Sequence, residues 1–229
     1  MRIIGMFTLL TLVISCTPQK EDFEESFFFP YFYAVQDEPL IYVYQDSLNP
    51  MFEVFERVFT TEDTINGKTV WLERYNSAFR LLETYQFSYD RDLKVNNHTV
   101  SNGKLYISSE IRDSIFFPFF GDTAHFSSTF PSMTDSIVFH LDSKKSLQKE
   151  KGNFTWNDKR LETVQVTDSI KYYAVDLRNK KEKVTETIGV TTYAKGMGKV
   201  HVKSANGKVN LRLTRILTEE EWKFIITKE

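Results

Sequence analysis

Hydrophobic and polar residues alternate in short runs along most of the chain, and this period of two is typical of β-strands. The runs are rich in β-branched and aromatic residues, and turn-forming residues separate them. We predict strands at 40–44, 52–59, 69–75, 79–89, 104–111, 136–141, 160–166, 171–177, 184–193, 199–203 and 208–215. Beyond the N-terminal segment, no long stretch follows the 3.6-residue period of an amphipathic helix.

Three Asn-Gly pairs separate predicted strands, at Asn66-Gly67, Asn102-Gly103 and Asn206-Gly207. Asn and Gly accept the positive φ angles of tight turns, so each pair predicts a hairpin. Thr218 followed by Glu221 matches a capping box and predicts a short C-terminal helix. Consecutive hairpins favour a mainly β fold with a single antiparallel meander, which can form a half-barrel, a barrel or a sandwich.

Two stretches interrupt the alternation. Residues 142–153 hold many charged and few apolar side chains, and we expect them to form an exposed connection within one domain. Gly196 and Gly198 stand close together near predicted strands, where glycine permits a bulge or a sharp bend within a strand.

The first residues combine a basic Arg2 with an apolar run at 3–14. A helix of that length extends only about 18 Å, whereas a membrane core is roughly 30 Å thick, so the run indicates a secretory signal. It ends in Val13-Ile14-Ser15-Cys16, which resembles the lipobox of bacterial lipoproteins. The resemblance implies cleavage before Cys16, diacylglycerol on its sulfur and an acyl chain such as palmitate on its amine. The alternative is an ordinary secretion signal with a cysteine near its end.

The residues after the cysteine are polar and acidic. We expect a signal peptide at 1–15, an acylated cysteine with its tether at 16–26 and a β-rich domain at 27–229. Lys20-Glu21-Asp22 resembles the surface-export signal of Bacteroidota lipoproteins, although a solvated spacer explains the same residues. Thr17 is not the Asp linked to inner-membrane retention in enteric bacteria. These features predict an anchor in the outer membrane, on its periplasmic or its cell-surface face.

Six sites combine Asp, a hydroxyl residue and an apolar residue, which resembles the O-glycosylation sequon of Bacteroidota envelope proteins. The implied acceptors are Ser47, Thr64, Ser114, Thr123, Ser136 and Ser169. Local structure offers another explanation, because Asp and Ser cap turns and a β-branched residue then begins a strand.

The stretch from Thr192 to Val200 resembles a Tyr-Ala-x-Gly-x-Gly-x-Val segment near the end of sheet-rich bacterial envelope proteins. These proteins include curved-sheet lipoproteins similar to the LolA and LolB carriers. The resemblance is confined to this short stretch, and it favours a half-barrel that holds a hydrophobic ligand.

The composition excludes several kinds of site. Lys and Arg number 29 against 31 Asp and Glu, a balance that excludes a nucleic-acid binder relying on bulk positive potential. The single cysteine excludes an internal disulfide framework and a multi-cysteine zinc site. The four histidines lack metal-ligand spacing, and neither a Gly-x-Ser-x-Gly elbow nor a Ser-x-x-Lys motif occurs. We therefore expect no metal, no cofactor and no enzymatic activity.

Aromatic residues are abundant, with 20 Phe and 11 Tyr. One cluster is the candidate apolar surface for a ligand or a partner, and its alternative role is core filling. Its members are Phe116, Phe117, Phe119, Phe120 and Phe126. Together these features predict a non-enzymatic, lipid-anchored binding or assembly subunit with an envelope protein partner. The alternative is a carrier of a hydrophobic ligand or lipid in the cavity of a curved sheet.

Overall fold

The structure is a computed structural model that describes residues 26–33, 38–63, 67–101, 103, 105–133 and 136–227. These residues form thirteen strands and one α-helix, α1 (Glu219–Ile226). The strands are β1 (Leu40–Asp46), β2 (Glu53–Asp63), β3 (Gly67–Tyr75), β4 (Leu81–Asp90), β5 (Asp92–Ser101), β6 (Tyr106–Ser108), β7 (Glu110–Phe117), β8 (Thr123–Pro131), β9 (Ile137–Trp156), β10 (Lys159–Asp176), β11 (Lys181–Ala194), β12 (Gly198–Ser204) and β13 (Asn210–Thr218). Within those ranges, no helix has the length and apolar character needed to cross a membrane.

The strands form one antiparallel sheet that closes on itself. Its order is β4-β3-β2-β1-β13-β12-β11-β10-β9-β8-β7-β5, and the pairing of β4 with β5 joins the two edges into a barrel of twelve strands. The short β6 adds to β5 as an extra strand. The pairing of β1 with β13 brings the two ends of the described chain together. This arrangement confirms the predicted antiparallel β fold, and the closed barrel is the one of the three alternatives that forms.

The alternation pattern missed β5, β8 and most of β7, since the predicted strand 104–111 covers β6 and only the start of β7. It also divided β10 into two strands. His98 in β5 and Ser128 in β8 stand where the pattern requires apolar residues, yet both are fully buried. The His98 Nδ1 and Ser128 Oγ atoms lie 3.0 Å apart, so each satisfies a polar group of the other. In β10, the polar pair Asp168 and Ser169 separates two apolar runs of what is one continuous strand.

Residues 142–153 belong to β9, so the predicted exposed connection is wrong. Ser143, Lys145 and Leu147 are buried, and the residues between them face outward. Residues 148–153 extend beyond the pairing with β8 and are exposed throughout. Their charge therefore marks a strand with solvent on both faces rather than a loop.

The residues before β1 fill one end of the barrel, and we call Ser26 to Tyr33 the N-terminal plug. Its side chains Phe28, Tyr31, Phe32 and Tyr33 are buried in the main core cluster. The Phe32 ring centre lies 5.4 Å from that of Phe117 in β7. A segment that precedes the barrel therefore supplies part of its core.

Of the two glycines predicted within a strand, Gly196 lies in the turn between β11 and β12, and Gly198 is the first residue of β12. Gly196 and Gly198 have φ angles of 73° and 93°. The Gly196 N–H donates to the Pro30 carbonyl of the plug at 2.7 Å. A Cβ on Gly198 would lie 2.4 Å from the ring of Tyr33. This turn is therefore the docking point of the plug.

Two predicted local motifs are confirmed. Gly207, with a φ of 71°, donates its N–H to the Ser204 carbonyl at 3.0 Å in the turn between β12 and β13. The Thr218 side chain accepts from the Glu221 N–H, and the Glu221 side chain accepts from the Thr218 N–H, which completes the capping box of α1. Asn66 and Asn102, which belong to the other predicted turns, lie outside the described residues.

Two long hairpins extend from opposite ends of the barrel because β9, β10 and β11 pair in series. The β9–β10 hairpin turns at Asn157 and Asp158, at the end that holds the plug. There, the Lys151 ammonium lies 5.4 Å from the ring centre of Phe27. The β10–β11 hairpin turns at 177–180, at the other end.

Candidate ligand-binding site in the barrel

A cavity of about 280 Å³ lies inside the barrel, and we call it the lumen cavity. Phe32 and Tyr33 of the plug line it together with inward side chains of the strands. Its lining combines aromatic rings with buried ion pairs, so it offers both apolar surface and polar contacts.

Glu56 in β2 is the centre of the first ion cluster and is 1% exposed. It is ion-paired with Lys199 and accepts a hydrogen bond from the Arg74 Nε at 3.1 Å. The Tyr33 hydroxyl donates to it at 2.6 Å. The neighbouring Tyr44 hydroxyl donates to the Lys199 carbonyl at 2.9 Å. One carboxylate thus connects the plug with β2, β3 and β12.

Arg74 extends this cluster to a second carboxylate, Glu83 in β4. The Tyr85 hydroxyl donates to Glu83 at 2.9 Å, and the His98 Nε2 lies 3.4 Å from it. The chain of contacts from Lys199 through Glu56 and Arg74 to Glu83 alternates in charge, which favours the ionised form of the two carboxylates. At Lys199, burial outweighs the attraction of Glu56 and lowers the pKa of the ammonium.

Lys145 in β9 forms the second ion cluster with Asp168 in β10. Its ammonium lies 3.0 Å from an Asp168 carboxylate oxygen and donates to the Ser143 hydroxyl at 2.9 Å. The Ser143 hydroxyl in turn donates to Asp168 at 3.0 Å. The Lys145 ammonium also lies 4.6 Å from the ring centre of Phe116, a distance suited to a cation–π contact.

Opposite charges keep the buried Glu56 and the half-buried Glu83 ionised. Burial alone would raise the pKa of Glu56, but Lys199 and Arg74 outweigh it and lower that pKa to about 2. At Glu83, burial likewise raises the pKa, but Arg74 and His98 outweigh it and lower that pKa to about 2. Among the described residues, every buried side-chain nitrogen and oxygen has a hydrogen-bond partner. Each buried polar side-chain atom of the cavity therefore has at least one partner within the protein, which stabilises the network.

Three aromatic rings form the apolar part of the lining. The ring centre of Tyr85 lies 5.2 Å from that of Phe116 and 5.8 Å from that of Phe126. The Phe116 and Phe126 centres are 6.1 Å apart. Leu72 and Leu141 also contribute to the lining. The rings meet edge to face or tilted, the arrangements that their quadrupoles favour.

The pattern of the sequence did not single out the charged residues of the cavity. Val54, Glu56 and Val58 alternate in β2, so Glu56 occupies a position in phase with two apolar residues that face the barrel interior. Asp168 stands between Val166 and Ile170 in the same way in β10. A charged residue in the apolar phase of a strand is the signal that could have identified this site.

The arrangement suits the binding of a small molecule with a polar group and an apolar body. The Lys145 ammonium offers a hydrogen-bond donor, and the oxygens of Asp168 and Ser143 offer acceptors, beside the aromatic rings. In the part of the chain that the structure describes, no group of three or more His, Cys, Asp or Glu residues is placed to hold a metal ion.

The five aromatic residues predicted as a binding surface separate in the structure. Phe116 and Phe126 line the lumen cavity, whereas Phe117 and Phe119 are buried in the core. Phe120 is 42% exposed at the barrel end that holds the plug. The cluster thus contributes to both a cavity and a core, and its role in binding stays a prediction.

The other predicted sites occupy varied positions. Ser47 and Thr123 are exposed, while Ser114, Ser136 and Ser169 are half-buried. Ser114 and Ser169 lie within β7 and β10, and Thr123 begins β8. Thr64 and Cys16 lie outside the described residues. Glycosylation and acylation at these sites stay predictions.

No protein-family model and no curated protein matches this chain. One solved structure that it resembles is that of a candidate lipoprotein from Parabacteroides distasonis, with a TM-score of 0.50, 10% sequence identity and coverage of 82% of this chain and 98% of that chain. Another is that of a candidate exported protein with a YmcC-like fold from Bacteroides fragilis, with a TM-score of 0.38, 13% identity and coverage of 82% and 99%. At 10% identity, the first likeness shows a shared fold.

Proposed function

We propose that this protein is a non-enzymatic lipoprotein of the outer membrane of a Bacteroidota-type bacterium, and that it binds a small ligand inside its barrel. The observation that carries the proposal is the lumen cavity, where aromatic rings and buried ion pairs face the same space. Concave, largely apolar sites with a few well-placed polar groups are typical of small-molecule binding.

The location rests on the N-terminal residues. Val13 to Cys16 match the lipobox pattern, and two or three acyl chains on Cys16 would hold the protein at a membrane far more firmly than one. The structurally similar protein from Parabacteroides distasonis is described as a candidate lipoprotein, which supports the same assignment here.

The lining of the cavity limits the class of ligand. Its volume of about 280 Å³ is near the lower end of small-molecule pockets, too small for a lipid with two long chains. The Lys145 ammonium has three N–H donors and contacts two polar groups, Ser143 and Asp168, so a wholly apolar ligand would leave one donor without a hydrogen bond. We therefore favour an amphipathic molecule with one polar group near Lys145 and an apolar part against Phe116.

Native mass spectrometry of the protein purified from its own envelope tests this proposal. Thr191 faces the cavity, whereas its neighbour Thr192 points away from it, so Thr191→Phe and Thr192→Phe form a matched pair. We expect the wild type and Thr192→Phe to carry an additional small mass and Thr191→Phe to lose it. Circular dichroism checks that both variants fold. A wild-type protein that never carries such a mass, even after incubation with an envelope extract, would contradict ligand binding.

A role in assembly is the second candidate, and an exposed strand edge favours it. β11 pairs with β12 only from Gly189 onward, so residues 181–188 have no strand on that side among the described residues. A partner could add a strand there. Affinity purification from detergent-solubilised envelopes tests this role, and repeated recovery of the protein alone would count against it.

A further inference from the structure

The length of chain before the plug limits how the barrel can sit on a membrane. Cys16 precedes Ser26 by ten residues, which can span at most about 35 Å when fully extended. Ser26 is buried at the plug end, where its hydroxyl donates to the Phe119 carbonyl. An acyl anchor on Cys16 therefore keeps this end of the barrel near the lipid surface.

Two exposed phenylalanines and the half-buried Trp156 lie near the point where the chain enters the barrel. Phe27 is 39% exposed, and Phe120 is 42% exposed on the neighbouring loop. Trp156 forms the last strand pair of the β9–β10 hairpin, and its ring is stacked 6.2 Å from that of Phe154. Phe and Trp side chains with this placement favour the boundary between lipid and water.

Basic side chains accompany these rings. The Lys151 ammonium contacts the Phe27 ring, and its side chain is 49% exposed. Lys159 and Arg160 are exposed on the other strand of the hairpin. Cations beside interfacial aromatic residues attract the phosphates of lipid headgroups.

The composition of the two barrel ends does not by itself show which end faces the membrane. The β10–β11 hairpin also carries exposed lysines, Lys181 and Lys183, and an exposed Val184. The two ends differ in their distance from Cys16 along the chain, because the chain enters the barrel at the plug end. From this we infer that Phe27, Phe120, Trp156, Lys151, Lys159 and Arg160 form a membrane-facing surface that lies on lipid headgroups. The inference rests on the proposed lipid anchor, and it directs the β10–β11 hairpin away from the membrane.

Lysine accessibility on vesicles tests this orientation. The full-length acylated protein is reconstituted into vesicles of phosphatidylethanolamine and phosphatidylglycerol, acetylated briefly and analysed by mass spectrometry. Cys16→Ala protein mixed with the same vesicles is the unanchored control. We expect several-fold slower acetylation of Lys151 and Lys159 in the anchored protein, with Lys181 and Lys183 unchanged. Equal acetylation of Lys159 in both samples, or protection of Lys181, would overturn the inference.

Flotation of the vesicles separates this inference from the proposed anchor. If the acylated protein does not float, both the anchor and the orientation fail. If it floats with Lys159 fully accessible, only the orientation fails. As a second test, Phe27→Glu combined with Phe120→Glu should restore the acetylation of Lys159 while flotation persists. The control Val184→Glu, at the opposite end of the barrel, should change neither the acetylation of Lys159 nor flotation. If Lys159 stays protected in the double variant, the two phenylalanines do not mediate the membrane contact.

Discussion

Glu56 illustrates how a single buried side chain holds distant parts of the barrel together. Its carboxylate contacts Tyr33 of the plug, Arg74 of β3 and Lys199 of β12. Removing one partner of such a buried pair is costly because the other charge is left without compensation. The polar residues of the lumen are therefore structural as well as candidates for ligand contacts.

The lowered pKa of Glu56 predicts a loss of stability in acid. Its pKa is about 2 in the fold against 4.5 as the ordinary value, so ionised Glu56 stabilises the fold above pH 4.5, and this contribution disappears as the pH falls toward 2. The contribution is on the order of 3 kcal/mol. Urea unfolding at about four pH values from pH 6 to pH 2 measures this change in the free energy of unfolding. In Glu56→Gln the pH dependence should shrink to the part that the other carboxylates with a lowered pKa supply, Glu83 among them. An unchanged slope would refute the assignment.

Gly198 allows a second prediction, with Gly196 as its matched control. Both glycines have positive φ angles, so alanine at either position introduces backbone strain of about 1 kcal/mol. Only at Gly198 does the new Cβ also meet the Tyr33 ring, at 2.4 Å. We expect Gly198→Ala to lower the free energy of unfolding by about 1–3 kcal/mol more than Gly196→Ala, because it also displaces the plug. Denaturant unfolding measures the difference, and equal losses would show that the plug tolerates the contact.

At the scale of elements, α1 protects the outside of the barrel. Trp222 is buried, and its ring centre lies 5.1 Å from that of Phe55. Ile41, Val43 and Leu217 complete this second apolar cluster on the outer face of the sheet. Without the helix, these outward-facing apolar side chains would meet solvent.

The capping box of α1 gives a prediction for this element. Thr218→Ala removes the side chain that accepts from the Glu221 N–H, and we expect a loss of about 1 kcal/mol in the free energy of unfolding. Thr218→Ser keeps the hydroxyl and should lose only a few tenths of a kcal/mol. Urea unfolding followed by the fluorescence of Trp71, Trp156 and Trp222 measures both losses. If both variants lost the same stability, the cap would not be the cause.

The strands show which elements a local pattern can predict. In β13, Leu211 and Leu213 alternate with Arg212 and Thr214 because one face of the strand packs in the barrel and the other is exposed. The alternation pattern does not predict most of β9, for two reasons. Its lumen-facing positions include Ser143 and Lys145, and residues 148–153 are exposed on both faces of the strand. Local sequence cannot tell a polar residue that faces a lumen from one that faces solvent.

At the scale of the whole molecule, closure follows from two pairings between strands. β4 pairs with β5 across a sharp turn, and β1 pairs with β13 from the other end of the chain. Because these pairings leave no open edge along most of the barrel, the backbone groups of its strands are satisfied within one sheet. The plug then fills one end of the enclosed space, and the lumen cavity remains.

The proposed lipid anchor concerns the whole molecule, and Cys16→Ala tests it. We expect the wild type to incorporate a palmitate analogue and to sediment with membranes. The variant should lose both the label and the membrane association, because the apolar surface of the acyl chains is what holds the protein there. Circular dichroism of the released variant checks that the barrel still forms. Unchanged labelling of Cys16→Ala would reject the anchor.

The sequence by itself determined the local features of this protein: its antiparallel strands, the Asn206-Gly207 turn and the capped helix. Each depends on residues only a few positions apart, so sterics and hydrogen bonding act within the motif itself. Tertiary structure alone decided the closure of the barrel, the insertion of the plug and the clustering of charges in its lumen. Glu56 and Lys199 are 143 positions apart in the chain, and only the folded sheet makes them neighbours.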